Sequence, residues 1–264
     1  PEWLLHRNGD DRQALFNLGD PAALEWMCRY IGDFIEENGI DWYRQDNCFR
    51  DLRPYWDEND APGRKGITEI RHIEGLYSFW DYLLARFPDM LIDNCASGGR
   101  RLDIEMYRRS VPLWRTDFGG KDYEKYAGRQ GHTYGLSLFL PVHGTNIKAL
   151  DAYSFYSSLA ATCNLGTPMV NNKETNLDQV YRRISQYKAL QPYFYEDYYP
   201  LTGLRNRTGN TKWLAYQLHR PSDGTGAVLS FRHEQSRKET LTVCLRGLDP
   251  EAKYLGIDVE ELFK

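Results

Sequence analysis

Asp20-Pro21-Ala22-Ala23-Leu24-Glu25-Trp26-Met27-Cys28-Arg29-Tyr30-Ile31-Gly32-Asp33-Phe34-Ile35-Glu36-Glu37-Asn38-Gly39-Ile40-Asp41-Trp42-Tyr43-Arg44-Gln45-Asp46 carries the decisive pattern. Asp20 suits a helix N-cap and Pro21 the first helical position. Leu24, Met27, Cys28, Ile31, Phe34 and Ile35 recur at helical steps, and Gly39 ends the run. Asp41–Asp46 follows at once as a strand, and Ala14–Leu18 reads as a strand upstream. The stretch is therefore strand, helix, strand.

The alternation continues. A long polar loop from Cys48 to Gly66 exceeds a plain βα connection, and loops of that length are often functional. Ile67, Ile70, Ile73, Tyr77, Trp80, Leu84 and Phe87 mark a second amphipathic helix, and Met90–Asn94 the next strand. A short helix over Leu102–Arg109 and strands at Pro112–Asp117, Ser137–Val142 and Pro168–Asn171 are predicted. Helices are expected around Ala152–Cys163 and over Leu177, Val180, Tyr181, Ile184 and Tyr187. Repeated βα units imply a parallel sheet, either an open doubly wound one or a closed barrel. A (β/α)8 TIM barrel needs eight strands in about 250 residues, so the strands read here fit a barrel that is N-terminally incomplete. After residue 193 the pattern changes. Trp213–Leu218, Gly226–Phe231 and Glu239–Leu245 alternate apolar and polar, with a turn at Ser222-Asp223-Gly224. The expected α/β organisation is a catalytic barrel domain over 1–192 and a small, truncated antiparallel β domain over 193–264. Tyr193–Tyr199 is expected to pack between them.

The 264 residues are 41% hydrophobic and 27% charged, the balance of a folded globular chain. Lys+Arg 33 against Asp+Glu 37 gives a net charge of −4, which argues against binding nucleic acid or an acidic membrane by bulk charge. No apolar run approaches the roughly 20 residues of a membrane span. The five cysteines are scattered, with no C-x-x-C pair. Neither a disulfide framework nor structural zinc is expected, and the pattern fits a reducing, cytoplasmic setting. The start at Pro1-Glu2-Trp3 is read as that of a piece of a longer chain.

Function in βα folds sits at the C-terminal edge of the strands. Those edges carry Arg44-Gln45-Asp46-Asn47, Asp93-Asn94-Cys95-Ala96-Ser97-Gly98-Gly99-Arg100, Trp114-Arg115-Thr116-Asp117 and His143-Gly144. Carboxylates and amides can hold ring hydroxyls, and a flat aromatic can cover a sugar's C–H face. Two carboxylates flanking a glycosidic bond are the usual glycosidase machinery, and Asp46 and Asp117 are the candidates. Either one alone would more often be a helix cap or a solvated loop residue. The Gly98-Gly99 turn does not match G-x-G-x-x-G, the histidines lack H-E-x-x-H spacing, and no G-x-S-x-G elbow occurs. No cofactor and no metal are expected.

Asp41-Trp42-Tyr43-Arg44-Gln45-Asp46, then Leu91-Ile92-Asp93-Asn94-Cys95-Ala96-Ser97-Gly98-Gly99-Arg100, then Leu113-Trp114-Arg115-Thr116-Asp117 resemble glycoside hydrolase family 36, the bacterial α-galactosidase (melibiase) family. Its pattern there is a Lys-Trp-Asp strand end, an Asn-Cys-(Ser/Ala)-x-Gly-Gly turn and a Trp-x-Ser-Asp strand end, and the resemblance covers most of residues 12–190. It implies a TIM barrel with a C-terminal β domain, and a retaining α-galactosidase acting on a terminal α-galactoside through a covalent glycosyl-enzyme. It makes Asp46 the nucleophile and Asp117 the general acid/base. Arg12, Arg44, Asn47, Cys95, Gly98 and Trp114 fall where the family binds its sugar. The partner it implies is an oligosaccharide or glycoside substrate, and a homo-oligomer is compatible with it. Arg115 would oppose a raised pKa at Asp117 if it faced that carboxyl, so it is expected to turn away.

The chain departs from the family pattern in ways that bear on the sugar. Arg44 stands for its lysine, Cys48 for the Asn two places after the nucleophile (Asn47 comes one place early), and Gly120 for an acid that Asp122 nearly supplies. An α-N-acetylgalactosaminidase or a galactosyl transferase would use the same machinery. The departures also leave room for a non-catalytic sugar-binding protein on a decayed barrel, and period alone for an unrelated α/β enzyme on an open sheet.

Overall fold

Asp20 caps the first helix as its position suggests. Its carboxylate accepts the Ala22 and Ala23 N–H groups at 2.9 and 3.0 Å, and Gly39 ends α1 (Pro21–Asn38) in the left-handed region at φ 60°. The computed structural model describes the chain apart from residues 1, 8–9, 48, 50, 118–123, 167–171, 204–211 and 264, and apart from the side chains of 10–12 and 124–125. The chain divides into two units, Pro1–Val111 and Pro112–Lys264.

In the first unit, β1 (Leu4–Arg7) and β2 (Asp10–Phe16) form an antiparallel hairpin, so the upstream strand does not head a parallel unit as its βαβ context suggested. α1 then leads to β3 (Trp42–Gln45), and α2 (Arg53–Asp57) lies within the long loop. α3 (Ile67–Arg86) returns the chain to β4 (Leu91–Asn94), which lies parallel to β3 in the register Arg44↔Asp93. Leu18, Ile35, Leu76, Phe79, Trp80, Leu83, Met90, Ile92 and Met106 make the core under this pair. α3 approaches the chain before α1 so closely that a Cβ on Gly75 would sit 2.0 Å from the Leu18 carbonyl oxygen. α4 (Ile104–Tyr107) and a single parallel bridge, Asp93↔Val111, complete the unit.

In the second unit, α5 (Glu124–Leu136), β5 (Gly144–Ile147), α6 (Ala152–Ser157), β6 (Thr162–Leu165) and α7 (Leu177–Leu190) follow in order, with β5 and β6 parallel. A 3-10 turn (Gln191–Tyr195) leads into an antiparallel sheet of β7 (Asp197–Pro200), β8 (Trp213–Arg220) and β9 (Thr225–Arg232), and α8 (Val259–Leu262) lies near the end. One core, including Tyr134, Ile147, Phe155, Leu159, Leu190, Tyr216 and Phe231, joins these helices to the sheet. The tyrosine-rich segment packs on this core, with the Tyr198 hydroxyl donating to the Tyr134 carbonyl at 2.9 Å.

Several expected strands are absent. Ser137–Val142 instead closes α5, with Ser137 and Leu140 N–H groups bonded to Thr133 and Leu136 carbonyls, and Leu138 and Phe139 face solvent. The strand comes one step later as β5. Pro112–Asp117 forms no strand, although Gly144 N–H bonds the Pro112 carbonyl and Arg115 N–H the Gly144 carbonyl. Glu239–Leu245 alternates but pairs with no strand among the described residues. Pro168–Asn171 lies outside them. The sheets among the described residues are open, with two to three strands each.

Candidate functional site

The β3–β4 pair, in the first unit, holds one group of candidate residues. Asp46 follows β3 directly, and its side chain is 37% exposed. Across the edge, Ala96–Gly99 make a tight turn that forces Ser97 (φ 48°) and Gly98 (φ 79°) into the left-handed region. That conformation costs a non-glycine residue about 1 kcal/mol or more, and here it aims the Ser97 N–H at Asp46 Oδ1, 3.3 Å away. Ser97 Oγ donates to the Asn47 carbonyl at 3.1 Å, and Asn47 N–H donates to the Cys95 carbonyl at 3.1 Å. Asp46, Asn47, Cys95 and Gly98 therefore belong to one small constellation.

Arg44 completes it. Its guanidinium is 40% exposed and bonds the buried carboxylate of Asp93, which is 2% exposed, and it also lies 3.6 Å from Asp46 Oδ2. Burial pushes the Asp46 carboxyl up, but the Cys95 thiol, the Ser97 and Asn47 N–H groups and the Arg44 charge outweigh it and hold Asp46 below the usual carboxylate range. It is thus an anion at neutral pH. Burial pushes the Cys95 thiol up, so it stays protonated and can donate to that anion. Beneath the turn, Arg101 donates to the Gln45 and Cys95 carbonyls and lies over the Trp80 ring, while Trp80 Nε1 donates to Gln45 Oε1 at 2.7 Å.

In the second unit, Trp114 Nε1 donates to Asp117 Oδ1 at 3.0 Å, so the aromatic and the carboxylate stand together at the exposed end of their segment. Arg115 turns the other way, as expected. Its fully buried guanidinium contacts His143 Nδ1 at 2.8 Å and donates to the Arg129 carbonyl at 3.0 Å, and it makes no ion pair with Asp117. Burial lowers the Arg115 pKa to about 10, and burial with the nearby Arg115 charge holds His143 neutral, far below the ordinary histidine range. Arg129 is anchored in turn on the Asn146 carbonyl and Ser158 Oγ. This inward network leaves Trp114 and Asp117 facing out.

The side chain of Arg12, and Cys48, Gly120 and Asp122, lie outside the described residues. Asp93, Ser97 and Arg101 belong to the site although sequence reasoning did not select them. Asp93 could have been found from the strand register, which sets it directly opposite Arg44. Ser97 and Arg101 act through a turn conformation that residue identity does not announce. Among the described residues no cluster of His, Cys, Asp or Glu could hold a metal ion, and no helix is long and apolar enough to cross a membrane.

A model of the melibiase family matches residues 1–149, more than half of the chain and including the Asp46 constellation. The chain belongs to the melibiase family. Among curated melibiase relatives, α-galactosidase 1 of Pediococcus pentosaceus is 23% identical over 286 residues, covering 100% of this chain and 37% of its own length. Alpha-galactosidase C of Emericella nidulans is 29% identical over 126 residues, covering 44% of this chain and 15% of its own. The chain thus spans well under half the length of these relatives. Among solved structures, the α-galactosidase AgaA of Geobacillus stearothermophilus superposes with a TM-score of 0.75 at 21% identity, over 94% of this chain and 36% of that one. A variant of it crystallised with stachyose superposes at 0.73. These neighbours support the melibiase fold for this chain.

Proposed function

We propose that the protein containing this chain is a retaining α-galactosidase that hydrolyses terminal α-galactosides. The carrying observation is the β3–β4 edge: an ionised carboxylate, Asp46, cradled by the Ser97 N–H and the Cys95 thiol beside the Arg44–Asp93 pair. A depressed pKa is what a carboxylate nucleophile needs. Family membership and relatives named as α-galactosidases support the reaction class. The stachyose complex of a structural neighbour supports an oligosaccharide substrate.

In this reading Asp46 attacks the anomeric carbon while Asp117, protonated, gives its proton to the departing glycosidic oxygen. The C–O bond breaks as the Asp46–sugar bond forms. Asp117 then takes a proton from water, which attacks the same carbon and returns the sugar with its configuration retained. Such a mechanism sets the two carboxyl groups about 5–5.5 Å apart. Trp114 covers a sugar face, and Arg44, Asn47, Cys95, Gly98 and Arg12 line the sugar pocket. The parallel pairs β3–β4 and β5–β6 would be parts of a (β/α)8 barrel over 1–192, followed by a small antiparallel β domain over 193–264 that shares a core with the helices before it.

The test uses the full-length protein. Asp46→Ala should reduce hydrolysis of an aryl α-galactoside by several orders of magnitude, and wild-type enzyme should release the α-anomer first, seen by NMR. Wild-type activity in Asp46→Ala would overturn the reading, and initial release of the β-anomer would overturn retention. Faster turnover of the N-acetylated analogue would move the substrate to α-N-acetylgalactosaminides.

A further inference from the structure

The Trp114–Asp117 segment is held from within the second unit. Two backbone bonds tie its base to Gly144 at the head of β5. The Gly144 N–H donates to the Pro112 carbonyl at 3.1 Å, and the Arg115 N–H donates to the Gly144 carbonyl at 2.9 Å. From β6, Asn164 Nδ2 donates to the Leu113 carbonyl at 3.1 Å. The approach is close, since a Cβ on Gly144 would stand 2.9 Å from that same carbonyl oxygen.

The Arg115 side chain is the deepest of these anchors. It is 2% exposed, and a guanidinium only donates. His143 Nδ1, 2.8 Å away, therefore accepts, and the ring proton sits on Nε2, 3.2 Å from Ser137 Oγ. The other amino group donates to the Arg129 carbonyl at 3.0 Å. Among the described residues no carboxylate pairs with Arg115 or Arg129. Burying a cation without a counter-charge is costly, and an apolar side chain of similar length would fill the same space more cheaply. What the guanidinium adds is direction: forked donors in a rigid plane, aimed at two fixed acceptors, set where residue 115 lies. Trp114 precedes it, and Asp117 follows two residues on, at most about 7 Å along the chain. The Trp114 Nε1 bond to Asp117 Oδ1 joins the two, so a displacement of Arg115 reaches both.

We propose that Arg115 is a positioning residue for Asp117: its bonds to His143 and to the Arg129 carbonyl set where the Trp114–Asp117 pair stands against the departing glycosidic oxygen. The inference rests on the reading of Asp117 as the acid/base. It extends that reading from the group that moves the proton to the buried group that aims it.

The experiment uses the full-length protein and two substrates. Methyl α-galactoside leaves as an alkoxide that needs a proton, whereas the phenolate of dinitrophenyl α-galactoside departs without one. Asp117→Ala tests the underlying reading. It should lower kcat/KM for the methyl substrate about 10²–10⁴-fold more than for the dinitrophenyl one, and equal losses overturn the reading and the inference with it. Given that dependence, Arg115→Met should lower the methyl-to-dinitrophenyl ratio of kcat/KM by about tenfold to a hundredfold, the effect of misplacing a reacting group by about 1 Å. Arg115→Lys, which keeps one donor, should recover part of the ratio. A merely structural anchor would reduce the active fraction and lower both substrates alike. An unchanged ratio in Arg115→Met, or a parallel fall, therefore overturns the inference and leaves the reading of Asp117 intact. Should Arg115→Met fail to fold, Arg115→Lys and His143→Gln carry the same readout, with a smaller drop expected and an unchanged ratio overturning the inference.

Discussion

Arg44→Met tests how the platform beside Asp46, the proposed nucleophile, is held. The Arg44 guanidinium neutralises Asp93, whose carboxylate is 2% exposed, but Arg44 itself is 40% exposed. Breaking a buried ion pair by removing one partner costs about 3–5 kcal/mol. Water can reach the vacated guanidinium position, so the expected loss falls to about 2 kcal/mol. With a urea m-value near 2 kcal/mol/M, the midpoint should drop by roughly 1 M. The assay is urea unfolding of the full-length protein, with fluorescence and circular dichroism transitions required to coincide. Adding Asp93→Leu should restore much of the loss, giving a coupling energy above about 1 kcal/mol in the double-mutant cycle. Arg44→Met also removes one of the influences that lower the Asp46 pKa, so the acid limb of kcat/KM should move to higher pH, while Arg44→Lys should hold it nearer its place. A midpoint shift under about 0.2 M, with simple additivity in the double variant, would refute the ion-pair argument.

Three further outcomes are expected. Gly75→Ala drives a methyl into the Leu18 carbonyl and should cost about 3 kcal/mol, whereas Gly135→Ala in α5 meets nothing within 4 Å and should be neutral or stabilise by up to about 1 kcal/mol; thermal melts of the two variants should move in different directions. Burial holds His72 and His132 at about 4, each with help from a nearby arginine, so both are neutral when folded and protonate on unfolding below their ordinary 6.5. Stability present above pH 6.5 should therefore fall toward pH 4, by up to roughly 1.4 kcal/mol per pH unit for each group, and urea midpoints that stay flat across that range would contradict it. Glu260→Ala removes the carboxylate that holds Arg182, the buried Arg183 and the Tyr156 hydroxyl, and should lower the unfolding midpoint by about 1–3 kcal/mol of stability, moderated by the partial exposure of Glu260.

What could be read from the sequence was what local chemistry dictates. The cap at Asp20, the stop at Gly39 and the apolar steps between them act within one helix, so α1 stands as expected. The same holds for α3 and for the β3 and β4 strands that present Asp46 and Cys95. The second unit was less legible because its first helix and strand bury polar side chains beside the apolar core. α5 buries Arg129, Gln130 and Thr133, and β5 buries Thr145 and Asn146, so neither shows an apolar period. Their partners are Ser157, Ser158 and the Leu159 carbonyl, brought together only by the fold. Conversely, the exposed Leu138 and Phe139 mimic a strand where the helix ends. In the candidate site the Asp46 cradle depends on Ser97 adopting a left-handed φ, a property of the turn rather than of serine.

The central claim is that Asp46 forms the bond to the sugar, and trapping that bond tests it most directly. The full-length protein would be incubated with 5-fluoro-α-galactosyl fluoride, digested, and the labelled peptide sequenced by mass spectrometry. The account predicts one fluorogalactosyl group, carried on Asp46. A label on any other residue, or none from an enzyme that consumes the reagent and cannot be trapped by it, would contradict the account.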